Sequence, residues 1–534
     1  MFNYDEFYRT HGPDVHVDPV RFIKTSNLCR GSVLDVGCGT GTLADYYKKD
    51  YLGIDISKVA IDFAKEKRRE TANFFCSDLS DFILSSKKKY DTVVFAEILE
   101  HISDDSFIFD NIEKITHSNS RIIVSVPNGN RIPDESHLRQ FTIPELRKKF
   151  QKLGRVKFYN WPGAKRRILM TCDLGEFNED LISLVIPAKN EALGLENAIL
   201  SCIGFVDNIV ISVDDSSFDN TLEVAKRYAD TLKTYKWEDS FAKARNFAQE
   251  GVKTKWVLAL DGHEFVKSSD GIIKALSRGV DGFEVPIVLE NGFKFNFPRI
   301  VRNNIKWGAD VHNYPIIKSR DFVPSFIIVH DRDGSQSKEA TAIRDKQRKE
   351  MITDIMGKEK KEDKNASRPY FYLAQQNFFS KNYIKAIKSY KSYLKRSKHK
   401  GERWLVYYNM AQCYSFVNKY FSALRSLDKA DKEIPGRWEI SKLRGMMLTL
   451  NKNYEEAVVH LVESFNKQTG NFTYCPEERD DAKTWNVIGH CLTMIQKPLE
   501  AKEAYKRFLE LEKLKPEDKQ DKISIQVIEK ALTI

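Results

Sequence analysis

The sequence specifies a multidomain chain: two successive α/β domains followed by an all-α helical repeat. Three observations predict this. Short apolar runs alternate with helical patterns from the N-terminus to about residue 175. The alternation restarts at Leu181 and continues to His330. Beyond that point the strand pattern stops, and a helical pattern with a fixed internal spacing takes over. A chain of 534 residues is also too long for one hydrophobic core.

Residues 1–175 carry the strand-like runs "SVLDVG", "YLGIDI", "YDTVVFAE" and "RIIVSVP". Strands separated by helical patterns imply a mostly parallel sheet. Over 180–332 the same grammar returns in "LISLVIPA", "NIVISVDD" and "WVLALDG". Residues 333–367 are charged, and "GKEKKEDKNAS" within them is nearly free of large apolar side chains, so they read as a linker. Within 368–534, Ala374, Ala411, Gly445 and Gly489 are each followed nine residues later by Tyr383, Tyr420, Tyr454 and Pro498. At twelve residues come Ala386, Ala423, Ala457 and Ala501. Small residues so spaced let the two helices of a helix–turn–helix cross closely. The pattern resembles the tetratricopeptide repeat (TPR) in about four copies over 368–515. An all-α TPR superhelix is the expectation, with a groove suited to an extended or helical polypeptide.

Composition narrows the function classes. With 42% hydrophobic and 30% charged residues the chain has the balance of an ordinary soluble protein. No 18-residue apolar run is present, so no membrane span is expected. The N-terminus "MFNYDEFYRTHGPDVHVD" has neither the basic nor the apolar region of a signal peptide. The eight cysteines are scattered and form no C-x-x-C pair, which suits reduced thiols and a cytoplasmic location. The net charge of +10 reads first as a solvated surface and second as affinity for a phosphorylated donor or an acidic surface; no nucleic-acid partner is expected.

In "VLDVGCGTGTLADYY", Asp35, Gly37, Cys38, Gly39 and Gly41 lie between a strand and a helix. Glycines there allow positive φ and close ligand approach, and the helix N-terminus favours polar or anionic groups. Asp55 ends the next strand, where a carboxylate can hold both hydroxyls of a ribose. Asp78 follows in "FFCSDLSDF", and "YDTVVFAEILEHI" supplies Glu97, Glu100 and His101. The series resembles the class I S-adenosylmethionine methyltransferases, with their Rossmann-like α/β fold, over roughly residues 1–172. A bare NAD-binding domain is the alternative; the D-x-G-C-G-T-G form and the downstream "EHI" favour the methyltransferase. The resemblance implies that Asp35 to Gly41 surround the methionine part of S-adenosylmethionine, with Asp55 at the ribose and Asp78 and Leu79 at the adenine. It also implies Glu97 as a cofactor-site residue. His101 and His137, the latter in "PDESHLRQFT", are candidates for the base that takes the acceptor's proton, and both are also readable as scaffold residues. No Asn-Pro-Pro-Tyr motif for amino-nitrogen methylation occurs, which points towards a hydroxyl or small-molecule acceptor.

The second α/β domain places acids and basic groups at strand ends. "VIPAKNE" is followed by "VDDSSFDNT", then "SFAKARNFA", then "LALDGHEF". Acids at the carboxyl ends of neighbouring parallel strands face the crevice where α/β folds bind ligands. These four collinear motifs resemble the inverting family 2 glycosyltransferases of GT-A fold over about 181–330. The resemblance implies that Pro187, Ala188 and Glu191 line the nucleotide pocket of a nucleotide-sugar donor, expected to be UDP-linked. Asp214 or Asp215 would then bond the base, with Arg245 beside the donor. Asp261 and His263 would hold a divalent metal across the diphosphate, where it offsets the charge of the departing nucleotide. The family usually has Asp where His263 stands, and imidazole shifts preference from Mg²⁺ towards Mn²⁺. An Asp-x-His metal motif also occurs in polypeptide N-acetylgalactosaminyltransferases. Gly262 leaves room for a diphosphate or an unusual φ. "IKWGADVHNYP" resembles a late family element and makes His312 a third metal-ligand candidate, with Asn313 where the family has Glu. Asp310 and Glu264 are the candidates for the general base. Arg299 and Arg302, in "NFPRIVRNN", are candidates for phosphate contacts and equally readable as surface arginines.

The combined order resembles bacterial glycosyltransferases with C-terminal TPRs, some of which modify peptides or proteins such as bacteriocins and flagellins. The expected function is therefore sugar transfer to a protein or peptide, such as flagellin Ser or Thr, with O-methylation of the sugar by the N-terminal domain. A polysaccharide or lipid-linked glycan acceptor is the second expectation, and a scaffold with one degenerate catalytic domain the third. Both α/β domains and repeats are compatible with a homodimer.

Overall fold

The computed structural model describes residues 2–13, 18–176, 181–289, 294–309, 313–331, 350, 353, 357, 367–467, 474–475, 479–517 and 520–533. Asp310, His312 and nearly all of the 333–367 linker lie outside the described residues. The chain divides into two compact units, one of residues 1–285 with 298–336 and one of 286–297 with 337–534.

The first unit contains two sheets. In the N-terminal sheet, β1 (Val33–Val36) lies at the centre and is buried along its whole length. It pairs in parallel with β2 (Tyr51–Asp55) and β4 (Tyr90–Ala96). With β3 (Asn73–Cys76), β5 (Thr116–Pro127), β6 (Gly154–Phe158) and β7 (Arg167–Leu174), the order is β3-β2-β1-β4-β5-β7-β6. Only the β5–β7 and β7–β6 pairs are antiparallel. The continuous apolar reading of "VL" and "VVF" follows from helices covering both faces of parallel strands.

The second sheet opens with β8 (Ile182–Ala188), β9 (Asn208–Asp214), β10 (Thr231–Tyr235) and β11 (Trp256–Ala259), all parallel in the order β10-β9-β8-β11. It continues through β12 (Glu264–Ser269), β13 (Gly282–Leu289), β14 (Lys294–Arg302), β17 (Arg320–Phe322) and β18 (Phe326–His330), while β15 (Trp307–Gly308) and β16 (Tyr314–Pro315) form a separate hairpin. β14 runs antiparallel to β11, and β18 antiparallel to β12. Antiparallel strands thus extend a parallel core, and β12 and β18 bring Glu264 opposite His330.

The two sheets meet through buried polar groups. Asn128 Nδ2 donates to Tyr228 Oη at 2.8 Å, and Tyr228 Oη donates to Glu196 Oε1 at 2.7 Å. Arg131 adds a 2.9 Å ion pair to the same oxygen, and Arg147 binds Asp230 at 3.0 Å. Asn128 and Tyr228 are both fully buried. Tyr228→Phe leaves a buried amide donor and a buried carboxylate oxygen short of a partner. It is expected to lower the unfolding free energy by about 1–3 kcal/mol, read as a lower urea midpoint with an unchanged slope.

The second unit is built of helix pairs: Arg368–Phe379 with Tyr383–Leu394, Lys400–Phe416 with Tyr420–Glu433, Trp438–Leu450 with Tyr454–Asn466, and Asp481–Met494 with Pro498–Lys513. The spacing read from the sequence falls where the helices of each pair cross. Ala374, Ala386, Ala411, Ala423 and Ala457 are fully buried. A Cβ on Gly445 would lie 2.5 Å from Leu461, and one on Gly489 2.6 Å from Tyr505. Each pair turns through one residue of positive φ: Lys381 (59°), Asn418 (57°), Lys452 (63°) and Gln496 (61°). In the same unit, Lys294 and Phe295 of β14 pair with β19 (Tyr474–Cys475). No helix among the described residues is long and apolar enough to cross a membrane.

Candidate active sites

At the carboxyl edge of the first sheet a cavity of about 530 Å³ opens above β1, β2 and β4. Gly37, Gly39 and Gly41 follow β1 with φ of 65°, 52° and 72°, a left-handed run that only glycine adopts without strain. Asp55 grips this loop: Oδ2 accepts the Gly39 amide and Oδ1 the Ser57 amide, both at 2.8 Å. Asp78 caps the helix Leu79–Ser85 through the Ser80 amide. Asp35, Gly37, Cys38, Gly39, Asp55, Asp78, Leu79, Glu97, His101 and His137 all line the cavity. Gly41 does not; a Cβ there would meet Phe74 at 2.4 Å, so it serves close packing behind the loop. Burial raises the Asp35 pKa to about 7 against the lowering hydrogen bond from Tyr51.

The opposite wall carries a group that sequence reasoning left unassigned. Glu97, itself at positive φ, is tied to Ser125 and Arg167. Glu100 is 1% exposed, and neither carboxylate oxygen has a hydrogen-bond partner among the described residues. Burial, then the Glu97 charge, raises its pKa to about 8. His101 and His137 stand beside it with ring centroids 5.0 Å apart. The three side chains offer ligand atoms within 4.8 Å of one another. His101 Nδ1 lies 3.0 Å from the Ser136 carbonyl, a contact that needs a proton on Nδ1 and leaves Nε2 with its lone pair. An orphaned buried carboxylate with two imidazoles is a donor set that a divalent cation fits. Glu100 was visible in "EILEHI", but its burial was not.

In the second sheet, β9, β8 and β11 end side by side. Asp214 is buried and accepts the Ser216 amide at 2.8 Å, with Lys189 3.4 Å away, whereas Asp215 is exposed. Pro187 and Ala188 close β8, and Glu191 precedes the helix Ala192–Cys202. Asp261 follows β11 between two guanidiniums: Arg245 donates to Oδ1 at 2.6 Å, and Arg299 sits 3.7 Å from Oδ2. Burial alone would raise the Asp261 pKa; Arg245 and then Arg299 outweigh it and keep the carboxylate ionised. Glu264 is buried with both oxygens engaged, one by Arg299 at 2.5 Å and the other by the Asp261 amide at 2.9 Å. Arg302 turns away from this group and stacks on Trp256 at 3.9 Å.

His263 is held from both sides. Nδ1 contacts Glu191 Oε1 at 3.0 Å, and Nε2 faces His330 Nε2 at 3.0 Å. Two ring nitrogens that each sit about 2.1 Å from one ion at right angles are about 3 Å apart, so this pair has the spacing of adjacent ligands. The Glu191 carboxylate, as an acceptor, favours the proton on His263 Nδ1, the tautomer that leaves Nε2 its lone pair. Sequence reasoning missed His330; the signal was a strand, "FIIVH", ending in a histidine. Gly262 does not adopt an unusual φ. Its role is close approach, because a Cβ there would lie 2.8 Å from that of Glu191. Gly194 matches it across the gap, where a Cβ would meet the Gly262 carbonyl at 2.5 Å.

Comparison with known families decides what these two edges belong to. Residues 30–170 match the family model described as a methyltransferase domain, and residues 183–332 match glycosyl transferase family 2. The chain carries one domain of each kind. The first is similar to the ubiquinone biosynthesis O-methyltransferase of Coxiella burnetii (strain RSA 493 / Nine Mile phase I), 29% identical over 123 residues, which are 21% of this chain and 52% of that protein. The chain thus spans about half the length of the curated relatives it matches. Among solved structures, MamA aligns at 16% identity and a TM-score of 0.27, over 32% of this chain and 93% of its own. A complex of DhpI with SAH aligns at 19% and 0.26, over 32% of this chain and 94% of its own.

Proposed function

We propose that the chain is a bifunctional transferase that moves a sugar from a nucleotide-sugar donor to a protein or peptide acceptor and methylates a hydroxyl, with the installed sugar as the first candidate. The observation that carries the reading is the His263–His330 pair, Nε2 to Nε2 at 3.0 Å, at the sheet edge where Asp261 also follows β11. Asp261, His263 and His330 would hold a divalent metal, which offsets negative charge on a departing nucleoside diphosphate when bound. The imidazole nitrogens favour Mn²⁺ over Mg²⁺. Arg245 and Arg299 keep Asp261 ionised, and Pro187, Ala188, Glu191, Asp214 and Asp215 rim the same edge where the nucleotide would lie. Glu264, with both oxygens engaged, positions Arg299 and the Asp261 loop; Asp310 is then the base candidate.

In the N-terminal domain, S-adenosylmethionine supplies the methyl group on a sulfonium leaving group. Gly37 to Gly39, Asp55, Asp78 and Leu79 would hold it, and Glu97 props the wall opposite. Glu100, His101 and His137 would hold a divalent cation that acidifies an acceptor hydroxyl when bound. The orphaned Glu100 carboxylate favours this over His101 or His137 acting alone as base. The helix pairs would present the polypeptide acceptor. A lipid-linked glycan is the second acceptor reading, favoured by the cationic, apolar-tipped turns of the first two helix pairs.

Incubation with a panel of sugar nucleotides, Mn²⁺ and flagellin or peptide acceptors, read by intact mass, tests the proposal. The expected result is a sugar-sized gain, followed by about 14 Da when S-adenosylmethionine is added. Absence of both donor hydrolysis and transfer with every metal would sink the glycosyltransferase reading. Gly262→Ala pushes Glu191 off His263, and an expected loss of roughly tenfold or more in sugar transfer with weaker Mn²⁺ activation checks the Glu191 contact.

A further inference from the structure

We infer that the first two helix pairs of the C-terminal unit dock on an anionic lipid surface. The charge distribution is the first observation. Residues 367–427 contain twelve Lys and Arg and one acid, an excess larger than the +10 of the entire chain. That acid, Glu402, is 3% exposed and is bound by Tyr393 and Arg368. Within that span no exposed carboxylate opposes an anionic surface. The other acids of the four helices, Asp428, Asp431 and Glu433, follow Leu427 in the C-terminal half of the last helix, where Asp428 pairs with Arg444 and Glu433 with Arg403. Along Tyr383–Leu394 and one residue beyond, Lys385, Lys388, Lys391 and Lys395 recur at helical spacing on the exposed face. None of the four has an acidic partner among the described residues.

The second observation is apolar. The turn of the first pair exposes Phe379 (69%) and Ile384 (75%), and the turn of the second exposes Phe416 (60%) and Phe421 (72%). The two turns adjoin, since Tyr383 stacks on Phe416 at 4.5 Å and 15°. Both turns also carry a lysine, Lys381 and Lys419. Large side chains this exposed are tips that protrude rather than walls that enclose. Protruding apolar tips gain most by entering a fluid apolar phase, whereas an acidic peptide would need a pocket to bury its own side chains. Apolar insertion and lysine attraction together make the two signals that stable peripheral binding requires. No helix needs to cross the bilayer for this.

The test is co-sedimentation of the full chain with vesicles of phosphatidylcholine alone or mixed with phosphatidylglycerol, at low and high salt. The expected result is binding only to the mixed vesicles, weakened by salt. K385Q/K388Q/K391Q should lower partitioning roughly a hundredfold. F379S/I384S should lower it comparably while leaving the thermal midpoint unchanged, because these side chains pack against little. Equal binding to both vesicle types, or binding that survives both variants, overturns the proposal. So does retention on heparin or RNA without vesicle binding, which would assign the surface to a nucleic acid or other polyanion. If a variant misfolds, the wild-type salt and lipid dependence still decides. Vesicle binding is read without donor or acceptor, so its failure would remove the support for a lipid-linked acceptor and leave the two transferase activities untouched.

Discussion

Glu100→Gln is expected to reduce methyl transfer roughly a hundredfold or more while leaving S-adenosylmethionine binding intact. Glutamine keeps the shape of the side chain and removes the charge that would hold a cation against His101 and His137. The cofactor loop is formed by other residues, so cofactor affinity is a clean internal control. Stability should move the other way. A carboxylate that is 1% exposed and unpartnered costs free energy whenever it is ionised. Its folded pKa of about 8 lies above the ordinary 4.5, so it favours the fold most below pH 4.5, and that advantage disappears as pH rises through about 8. In the presence of a chelator, the thermal midpoint of the wild type should fall across that window and that of Glu100→Gln should fall less. Adding Mg²⁺ or Mn²⁺ should raise the wild-type midpoint and leave the variant unmoved. Full methyl transfer by the variant, or a wild type indifferent to cations, would remove the metal from this wall and return the base role to His101 or His137.

Much of this wall was legible as residue types and none of it as geometry. The strand-end acids Asp35, Asp55, Asp214 and Asp261 were readable because a parallel strand that ends in an acid points it at one edge of the sheet. The small residues of the helix pairs were readable because their spacing is fixed by where two helices cross. What escaped depends on long-range pairing. His330 meets His263 because β18 runs antiparallel to β12, a register that separates the two by 67 positions in sequence. Gly262 invited a conformational explanation, and the actual cause is the helix Ala192–Cys202 pressing Glu191 and Gly194 against the Asp261–His263 loop. The polar bridge from Asn128 through Tyr228 to Glu196 had no local sign at all, since each residue alone is an ordinary helix or strand-end residue.

His330→Ala should sharply reduce metal-dependent sugar transfer while leaving methyl transfer at the wild-type rate. The variant keeps Asp261 and His263 in place but removes the nitrogen that faces His263 Nε2 at 3.0 Å. Loss of one ligand weakens the cation first, so the expected signature is a higher Mn²⁺ requirement together with a fall of roughly a hundredfold or more in transfer. Donor hydrolysis should fall in step, because the cation would act on the leaving diphosphate rather than on the acceptor. That linkage separates His330 from a general base: a base variant such as Asp310→Asn should lose transfer while keeping Mn²⁺ affinity. Glu264→Gln makes a further contrast. It removes the closer of the two carboxylates that face the buried Arg299 and leaves Asp261 Oδ2 at 3.7 Å, so a lower thermal midpoint should accompany its loss of activity. If His330→Ala left the Mn²⁺ requirement and hydrolysis unchanged, the two facing imidazoles would be a structural contact, and the cation would have to be held from Asp261 by other ligands.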